Sequence, residues 1–152
     1  MRQWWILLAF LAAFPARADQ INIGFGPSMD GGTNPKFGTV QYEHDWGSFA
    51  LIGSVTAIFE DPILWTGSLI PSAKVVTPGG VFVRVGLGIG FVSRTDDRLS
   101  SIPQFNPEMA LGLSNDRFEV GGKGDHWSNG SVLGGGPNLG RDTLQLYLGV
   151  KF

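Results

Sequence analysis

The residues best suited to chemistry in this chain lie close together near its end, at His126, Ser128 and Asn129. On a strand, residues two apart share one face, so the imidazole of His126 can reach the hydroxyl of Ser128. A base beside a serine hydroxyl is the minimum for an activated nucleophile. Asn129 and the amides of the following glycine-rich loop, beginning with Gly130, are candidates for holding an oxyanion. The pattern favours a hydrolase site; the alternative is a polar strand end without catalysis.

A third group is expected to orient the imidazole and to stabilise its charged form. Asp142 is the best candidate, because it starts the last alternating segment and shares the phase of the apolar residues that follow it. A hairpin that pairs position 128 with position 142 puts Asp142 on the face of His126 and Ser128. Asp125 and Glu119 have the opposite phase, so neither is expected to be this acid.

The elements that must position these residues are strands, because the chain alternates apolar with small or polar residues and shows no helical period of any length. The alternation is clearest where Val81, Val83, Val85, Leu87, Ile89 and Phe91 hold one face. It recurs in eight segments, which span 21–26, 39–46, 48–60, 63–75, 81–93, 108–113, 118–123 and 143–152. Their lengths run from six to 13 residues and centre on the roughly ten that a tilted membrane strand needs.

The two phases differ in a way that indicates a membrane. Large aliphatic and aromatic residues hold one face, whereas glycine, serine, amides and charges hold the other. Glycine makes up 23 of 152 residues and suits a narrow barrel interior. We therefore predict an all-β fold, an eight-stranded antiparallel transmembrane β-barrel of the outer membrane. The alternative is a soluble periplasmic barrel of the lipocalin kind.

The inward phase also predicts particular contacts. We expect ion pairs inside the barrel between cations and acids of that phase, namely Arg84, Lys123 and Lys151 with Glu43, Glu108 and Glu119. Pro71 and Pro107 cannot donate to a ladder, so bulges or strand ends are expected there. His44 lies in the apolar phase near a tight turn, with no hydroxyl two residues on, and is expected to be an interfacial residue.

The connections predict an orientation. Tight turns are expected at 45–48, 77–80 and 114–116, and longer connections at 27–36, 94–103 and 129–140, with the short 60–62 turn as an exception. In outer-membrane barrels the longer loops are extracellular, which places His126 and Ser128 at the outer end of a lipid-facing strand. The 94–103 connection is expected to be an ordinary solvated loop; its alternative role is contact with lipopolysaccharide headgroups.

The first 18 residues are typical of a secretory signal peptide, with Arg2, an apolar run from Trp4 to Phe14 and a small-x-small cleavage site at 16–18. The barrel domain is then 19–152, in which nine basic and 13 acidic residues give a net charge of −4. No basic run survives, so nucleic acid is not an expected partner. The chain has no cysteine and no motif for a metal, and no cofactor is expected.

The end of the chain resembles the PagL family of lipid A 3-O-deacylases. The resemblance is carried by the H-x-S-N signature at 126–129, by Pro137-Asn138-Leu139-Gly140, and by an acid before a strand that ends in Phe152. It is strongest over about the last thirty residues. The acid departs from the family pattern, because Asp142 stands where the family usually has glutamate, and the loop before it is longer than usual.

This resemblance implies an eight-stranded outer-membrane barrel with a serine–histidine–acid triad that faces lipid. It implies His126 as base, Ser128 as nucleophile and Asn129 near the oxyanion, with lipid A of the lipopolysaccharide as substrate and the surrounding outer-membrane lipids as neighbours. The alternatives are a non-catalytic barrel for adhesion or envelope integrity, and an esterase for another membrane lipid. Monomer and homodimer are both compatible with the sequence.

Overall fold

The chain forms a closed antiparallel barrel in which every strand pairs with its neighbour in sequence and the last pairs with the first, as seen in a computed structural model. The structure describes residues 18–30, 35–100, 102–129 and 139–152. Its strands are β1 (Ala18–Pro27), β2 (Lys36–Asp45), β3 (Phe49–Phe59), β4 (Leu64–Val76), β5 (Val81–Val92), β6 (Pro103–Ser114), β7 (Phe118–Trp127) and β8 (Arg141–Lys151). The predicted eight-stranded barrel is confirmed.

The proposed signal peptide lies outside the described residues, except for Ala18 at the start of β1. Within the described ranges, no helix is long and apolar enough to cross a membrane.

The two faces of the strands carry the predicted chemistry. In β5 the odd positions are exposed and the even positions are buried. Outward-facing Ile89 and Leu146 are 68% and 78% exposed, whereas inward-facing Arg84 and Glu43 are 1% and 0% exposed. A soluble barrel would turn its apolar phase inward, so this inversion excludes the lipocalin-like alternative. An apolar belt of this kind is stable against hydrocarbon.

A network of ion pairs fills the middle of the barrel. Arg84 pairs with Glu43, and its other terminal nitrogen lies 2.6 Å from Glu108. Lys123 lies 3.2 Å from the same Glu108, and Lys151 approaches Glu119 to 4.0 Å. The predicted cations and acids therefore meet inside the barrel. Pairing satisfies charges that would be costly to bury alone.

Lys74 completes this network, although the sequence analysis gave it no partner. Its ammonium lies 2.7 Å from Glu43 and 2.8 Å from Glu119. Lys74 lies on the inward face of β4, and its partners come from β2 and β7. Those strands meet β4 only across the closed interior.

The prediction of bulges or strand ends at the two prolines is wrong. β4 runs through Pro71 and β6 runs through Pro107. Each proline instead interrupts the ladder with one neighbour. The β4–β5 pairing skips positions 70 and 71, and the β6–β7 pairing stops at Glu108 before a bridge between Phe105 and Ser128. The register is the same on both sides of each gap. The strands tolerate the missing donors because the opposite edge of each strand stays paired.

The two ends of the barrel differ. Short turns at 46–48, 77–80 and 115–117 lie at the end where β1 begins and β8 ends, called here the terminal end. The longer connections lie at the other end, the loop end, as predicted. Inside the loop end the barrel is filled by a cluster of buried apolar side chains, Phe37, Ile58, Leu64, Val92, Leu99 and Trp127.

Leu99 comes from the connection between β5 and β6, and it is fully buried in this cluster. Ser93, Thr95 and Asp97 of this connection are exposed, as expected for a solvated loop, but Leu99 is not. An apolar side chain anchors it in the barrel mouth, where burial of a leucine contributes about 2 kcal/mol. The β5–β6 connection is therefore packed against the apolar cluster inside the loop end.

Candidate functional site

The candidate site lies on the outer face of β7 and β8 at the loop end. His126 and Asp142 are directly opposite each other in the β7–β8 register. His126 Nδ1 and Asp142 Oδ1 are 2.7 Å apart, a hydrogen-bonding distance, and the two side chains are 41% and 56% exposed. The expected pairing of 128 with 142 is wrong by two residues. A shift of two residues leaves Asp142 on the same face as His126 and Ser128. The observed register brings Asp142 closer to His126 than the predicted one would.

Ser128 continues the outward phase of His126 and is half-buried. Its backbone forms two hydrogen bonds with Phe105, N–H to O at 3.1 Å and O to N–H at 2.6 Å. Within the described part of the chain, no hydrogen bond joins the Ser128 hydroxyl to His126. Such bonds are often long in free enzymes and tighten when substrate binds. The structure thus joins His126 to Asp142, with Ser128 beside them on the same face.

Pro107 shapes the backbone at His126. In the register set by Phe105 and Ser128, Pro107 stands opposite His126 in a position where strands exchange hydrogen bonds. Proline has no N–H to give, so the carbonyl of His126 loses its ladder donor. The side-chain amide of Asn106 replaces that donor, at 3.3 Å from His126 O. Ser68 in turn donates to Asn106 Oδ1 at 3.0 Å.

Gly140 gives the imidazole its space. Its φ of 68° lies in the left-handed region, which glycine adopts without strain. A Cβ at this position would lie 2.7 Å from His126 Cε1 and 3.2 Å from His126 Nε2. Only a residue without a side chain therefore leaves the ring where it is. This provides a physical reason for the glycine of the Asn138-x-Gly140 pattern.

The residues predicted to hold an oxyanion are only partly described. Asn129 is 1% exposed, and its side-chain amide donates to Ser100 Oγ at 3.0 Å. Gly130 lies outside the described residues. The bond from Asn129 ties the end of β7 to the β5–β6 connection, which fixes the backbone immediately after Ser128.

The same connection also supports the acid side of the site. Arg141, next to Asp142, is held inside the barrel mouth by Asp96 at 2.6 Å and Glu60 at 2.9 Å. Burial raises the pKa of Asp96. The hydrogen bond from Arg141 and those from the N–H groups of Leu99 and Arg98 outweigh burial, so this pKa is below its usual value. Asp96 is therefore charged at neutral pH.

Sequence reasoning missed these supports, because they come from loops whose course alternation does not predict. The alternation did predict the correct face for the two other acidic residues considered, Asp125 and Glu119. Asp125 faces inward, where Lys123 lies 2.9 Å away and Thr143 donates at 3.0 Å, and Glu119 is also inside. Neither carboxylate shares the face of His126.

His44 forms the other histidine–aspartate pair that the described residues contain, with Asp19 at 2.5 Å. It lies at the terminal end, with its ring 4.4 Å from that of Trp46. Trp46 occupies the position two residues on, where His126 has Ser128. His44 thus lies near a tight turn, as predicted, and the pair provides a control for the site. Within the described ranges, no group of three or more acidic or histidine side chains is placed to hold a metal ion.

The fold and the site together define a class of protein. It is an outer-membrane β-barrel with a polar cluster on the outer face of two neighbouring strands, at the loop end. A model of the family described as lipid A 3-O-deacylase (PagL) matches residues 21–151. The chain therefore belongs to the PagL family, which confirms the resemblance. It is an outer-membrane hydrolase whose function is lipid A deacylation.

Solved structures agree with this fold. The crystal structure of the outer membrane enzyme PagL is similar to this chain with a TM-score of 0.76 and 19% identity, over 86% of this chain and 98% of that chain. The Yersinia pestis outer membrane protein Ail is similar with a TM-score of 0.57 and 16% identity, over 89% of this chain and 99% of that chain. A comparison with curated protein sequences found no significant match.

Proposed function

We propose that this chain deacylates lipid A as a serine esterase, with Ser128 as nucleophile, His126 as base and Asp142 as the orienting acid. The observation that carries the proposal is the 2.7 Å contact between His126 Nδ1 and Asp142 Oδ1 on the face that Ser128 shares. A proton on Nδ1, held by the carboxylate, leaves the lone pair of Nε2 for the serine hydroxyl.

The reaction proceeds in two halves. Nε2 of His126 takes the hydroxyl proton while Oγ of Ser128 attacks the carbonyl carbon of the 3-position ester. The tetrahedral oxyanion is stabilised by N–H groups near Asn129 and Gly130. When the ester bond breaks, His126 gives the proton to the departing sugar oxygen, which leaves an acyl-enzyme. Water then attacks this ester, with His126 again as base, and releases a hydroxy fatty acid and free Ser128.

The outward position of the site suits a substrate that is itself a lipid. Below His126, the outward positions of β7 are Gly124 and Gly122, where an added Cβ would have as its nearest neighbours Thr143 O at 3.6 Å and Gln145 O at 3.9 Å. Exposed leucines of β8, Leu144 and Leu146, stand beside this bare strip. We propose that the scissile acyl chain lies along it, with the ester at His126 and the tail toward the membrane interior.

The test is the lipid A of a Gram-negative host that expresses the protein, analysed by mass spectrometry. The wild type is expected to remove one ester-linked 3-hydroxyacyl group, and Ser128→Ala and His126→Asn are expected to remove none. His44→Asn is the matched control, because it removes a histidine from the other His–Asp pair and should leave deacylation unchanged. Full activity of Ser128→Ala would rule out the serine mechanism, and release of phospholipid fatty acid instead would rule out the substrate.

A further inference from the structure

The acid of the proposed triad stands at an exposed strand start. Asp142 is the second residue of β8 and follows a long connection, and its carboxylate is 56% exposed. Its side chain is one methylene shorter than glutamate, so its reach to His126 depends closely on the position of its backbone. On the side opposite β7, that backbone is held by residues that follow β1.

An extension of β1 holds one half of the Asp142 backbone. The regular β1–β8 pairing ends at Phe25 and Leu146, and Ser28 then forms a bridge with Thr143. Beyond this bridge, the N–H of Met29 donates to the carbonyl of Asp142 at 2.8 Å. In a regular antiparallel ladder the N–H of Asp142 would donate back to the carbonyl of Met29, but here it has a different acceptor.

That acceptor is a side chain. Asp30 Oδ1 accepts the N–H of Asp142 at 2.7 Å, and Asp30 Oδ2 accepts the hydroxyl of Ser28 at 2.8 Å. The Asp30 side chain is 6% exposed, and Arg98 NH1 lies 3.8 Å from Oδ2. A hydrogen bond from an N–H to a carboxylate is stronger than one to a neutral carbonyl. The Asp30 carboxylate thus takes the place of a backbone carbonyl as acceptor, and it binds the N–H of Asp142 more tightly than a carbonyl would.

We propose that Asp30 is a positioning residue for the catalytic acid: its buried carboxylate fixes the backbone of Asp142 so that the short aspartate reaches His126. This inference rests on the proposed function. Asp30 acts through Asp142 and does not contact substrate, because both of its oxygens are bound to the protein. Arg98 connects Asp30 to the residue before β8, because NH1 of Arg98 also lies 3.5 Å from Gly140 O.

Three variants of purified protein, assayed for kcat and KM on lipid A, test the proposal. Asp30→Ala removes the acceptor and is expected to lower kcat at least about tenfold, the effect of one charge-assisted hydrogen bond, with KM unchanged. Asp30→Asn retains an oxygen for the Asp142 N–H and is expected to stay within about threefold of wild type. A loss that Asn fails to rescue would contradict the proposal.

A double-mutant cycle separates positioning from general support of the barrel mouth. If Asp30 works through Asp142, then Asp30→Ala in an Asp142→Ala background is expected to cause no further loss of kcat. Independent effects would multiply, and that outcome would overturn the proposal. So would wild-type kcat in Asp30→Ala.

Two further measurements keep these outcomes interpretable. Heat-modifiability on gels shows whether each barrel is folded, and if Asp30→Ala does not fold, Ser28→Ala provides a second test. It removes the hydroxyl that donates to Asp30 Oδ2 and also lies 3.4 Å from Asp142 O, and it is expected to lower kcat severalfold. An unchanged kcat would refute positioning by Asp30. Ser128→Ala is run in parallel: activity there would disprove the serine mechanism itself, whereas an inactive Ser128→Ala confines any failure to the role of Asp30.

Discussion

Replacing Gly140 with alanine is expected to damage catalysis far more than folding. The methyl group would lie 2.7 Å from His126 Cε1, and ordinary contacts begin at 3.4 Å, so the ring must move by about 0.7 Å. A misplacement of about 1 Å in a catalytic group costs on the order of 100-fold in rate. The left-handed φ of 68° adds a stability cost of about 1–2 kcal/mol.

The assay is kcat for release of the 3-hydroxyacyl chain from lipid A, together with the free energy of unfolding in urea. Gly80→Ala is the matched control for backbone strain, because Gly80 has a φ of 81° and an added Cβ would lie 2.5 Å from Ser114 O at the terminal end. Gly53→Ala is the neutral control, since no atom lies within 4 Å of its added Cβ.

Gly140→Ala is expected to lower kcat about 100-fold, whereas Gly80→Ala is expected to lower stability and leave kcat unchanged. Equal kcat values for Gly140→Ala and Gly53→Ala would refute the reasoning. An equal loss in Gly80→Ala would mean that strain alone, and not contact with His126, accounts for the effect.

Three further predictions concern the substrate strip, the interior and the loop end. Gly124→Val is expected to fold normally and to lower kcat/KM about tenfold by filling the strip, measured beside Gly53→Val. Glu43→Leu leaves Arg84 and other buried cations short of a partner and is expected to destabilise the barrel by about 3 kcal/mol in urea unfolding. The lowered pKa of Asp96 stabilises the folded loop end above pH of about 4, and this stabilisation is lost as the pH falls through the folded-state pKa. Proteolysis of the 93–102 connection is therefore expected to increase at low pH in wild type, and in Asp96→Asn to be high and independent of pH over the same range.

Alternation predicted most of the barrel because burial in a membrane strand has a period of two. The outward positions of β5 and the inward positions of Arg84 and Glu43 follow from that period alone. The same argument put His126, Ser128 and Asp142 on one face. It did not determine the register between β7 and β8, because any shift by two residues preserves the faces.

The supports of the site were not predictable in this way. Asp30 and Ser100 lie in connections, and they meet Asp142 and Asn129 only after the barrel has closed. Pro107 was predicted to mark a bulge or a strand end, but a side chain of the same strand, Asn106, supplies the donor that proline lacks. Such compensation depends on three-dimensional neighbours, for which alternation carries no signal.

The most direct test of the account is the rate of lipid A 3-O-deacylation by Asp142→Asn, measured beside Asp125→Asn. Asp142 faces His126 on the outer surface, whereas Asp125 is buried against Lys123. We expect a loss of about 10³-fold or more for Asp142→Asn, because the imidazole loses the carboxylate that orients it, and a rate near wild type for folded Asp125→Asn. The reverse result would contradict the assignment of the acid and, with it, the lipid-facing site.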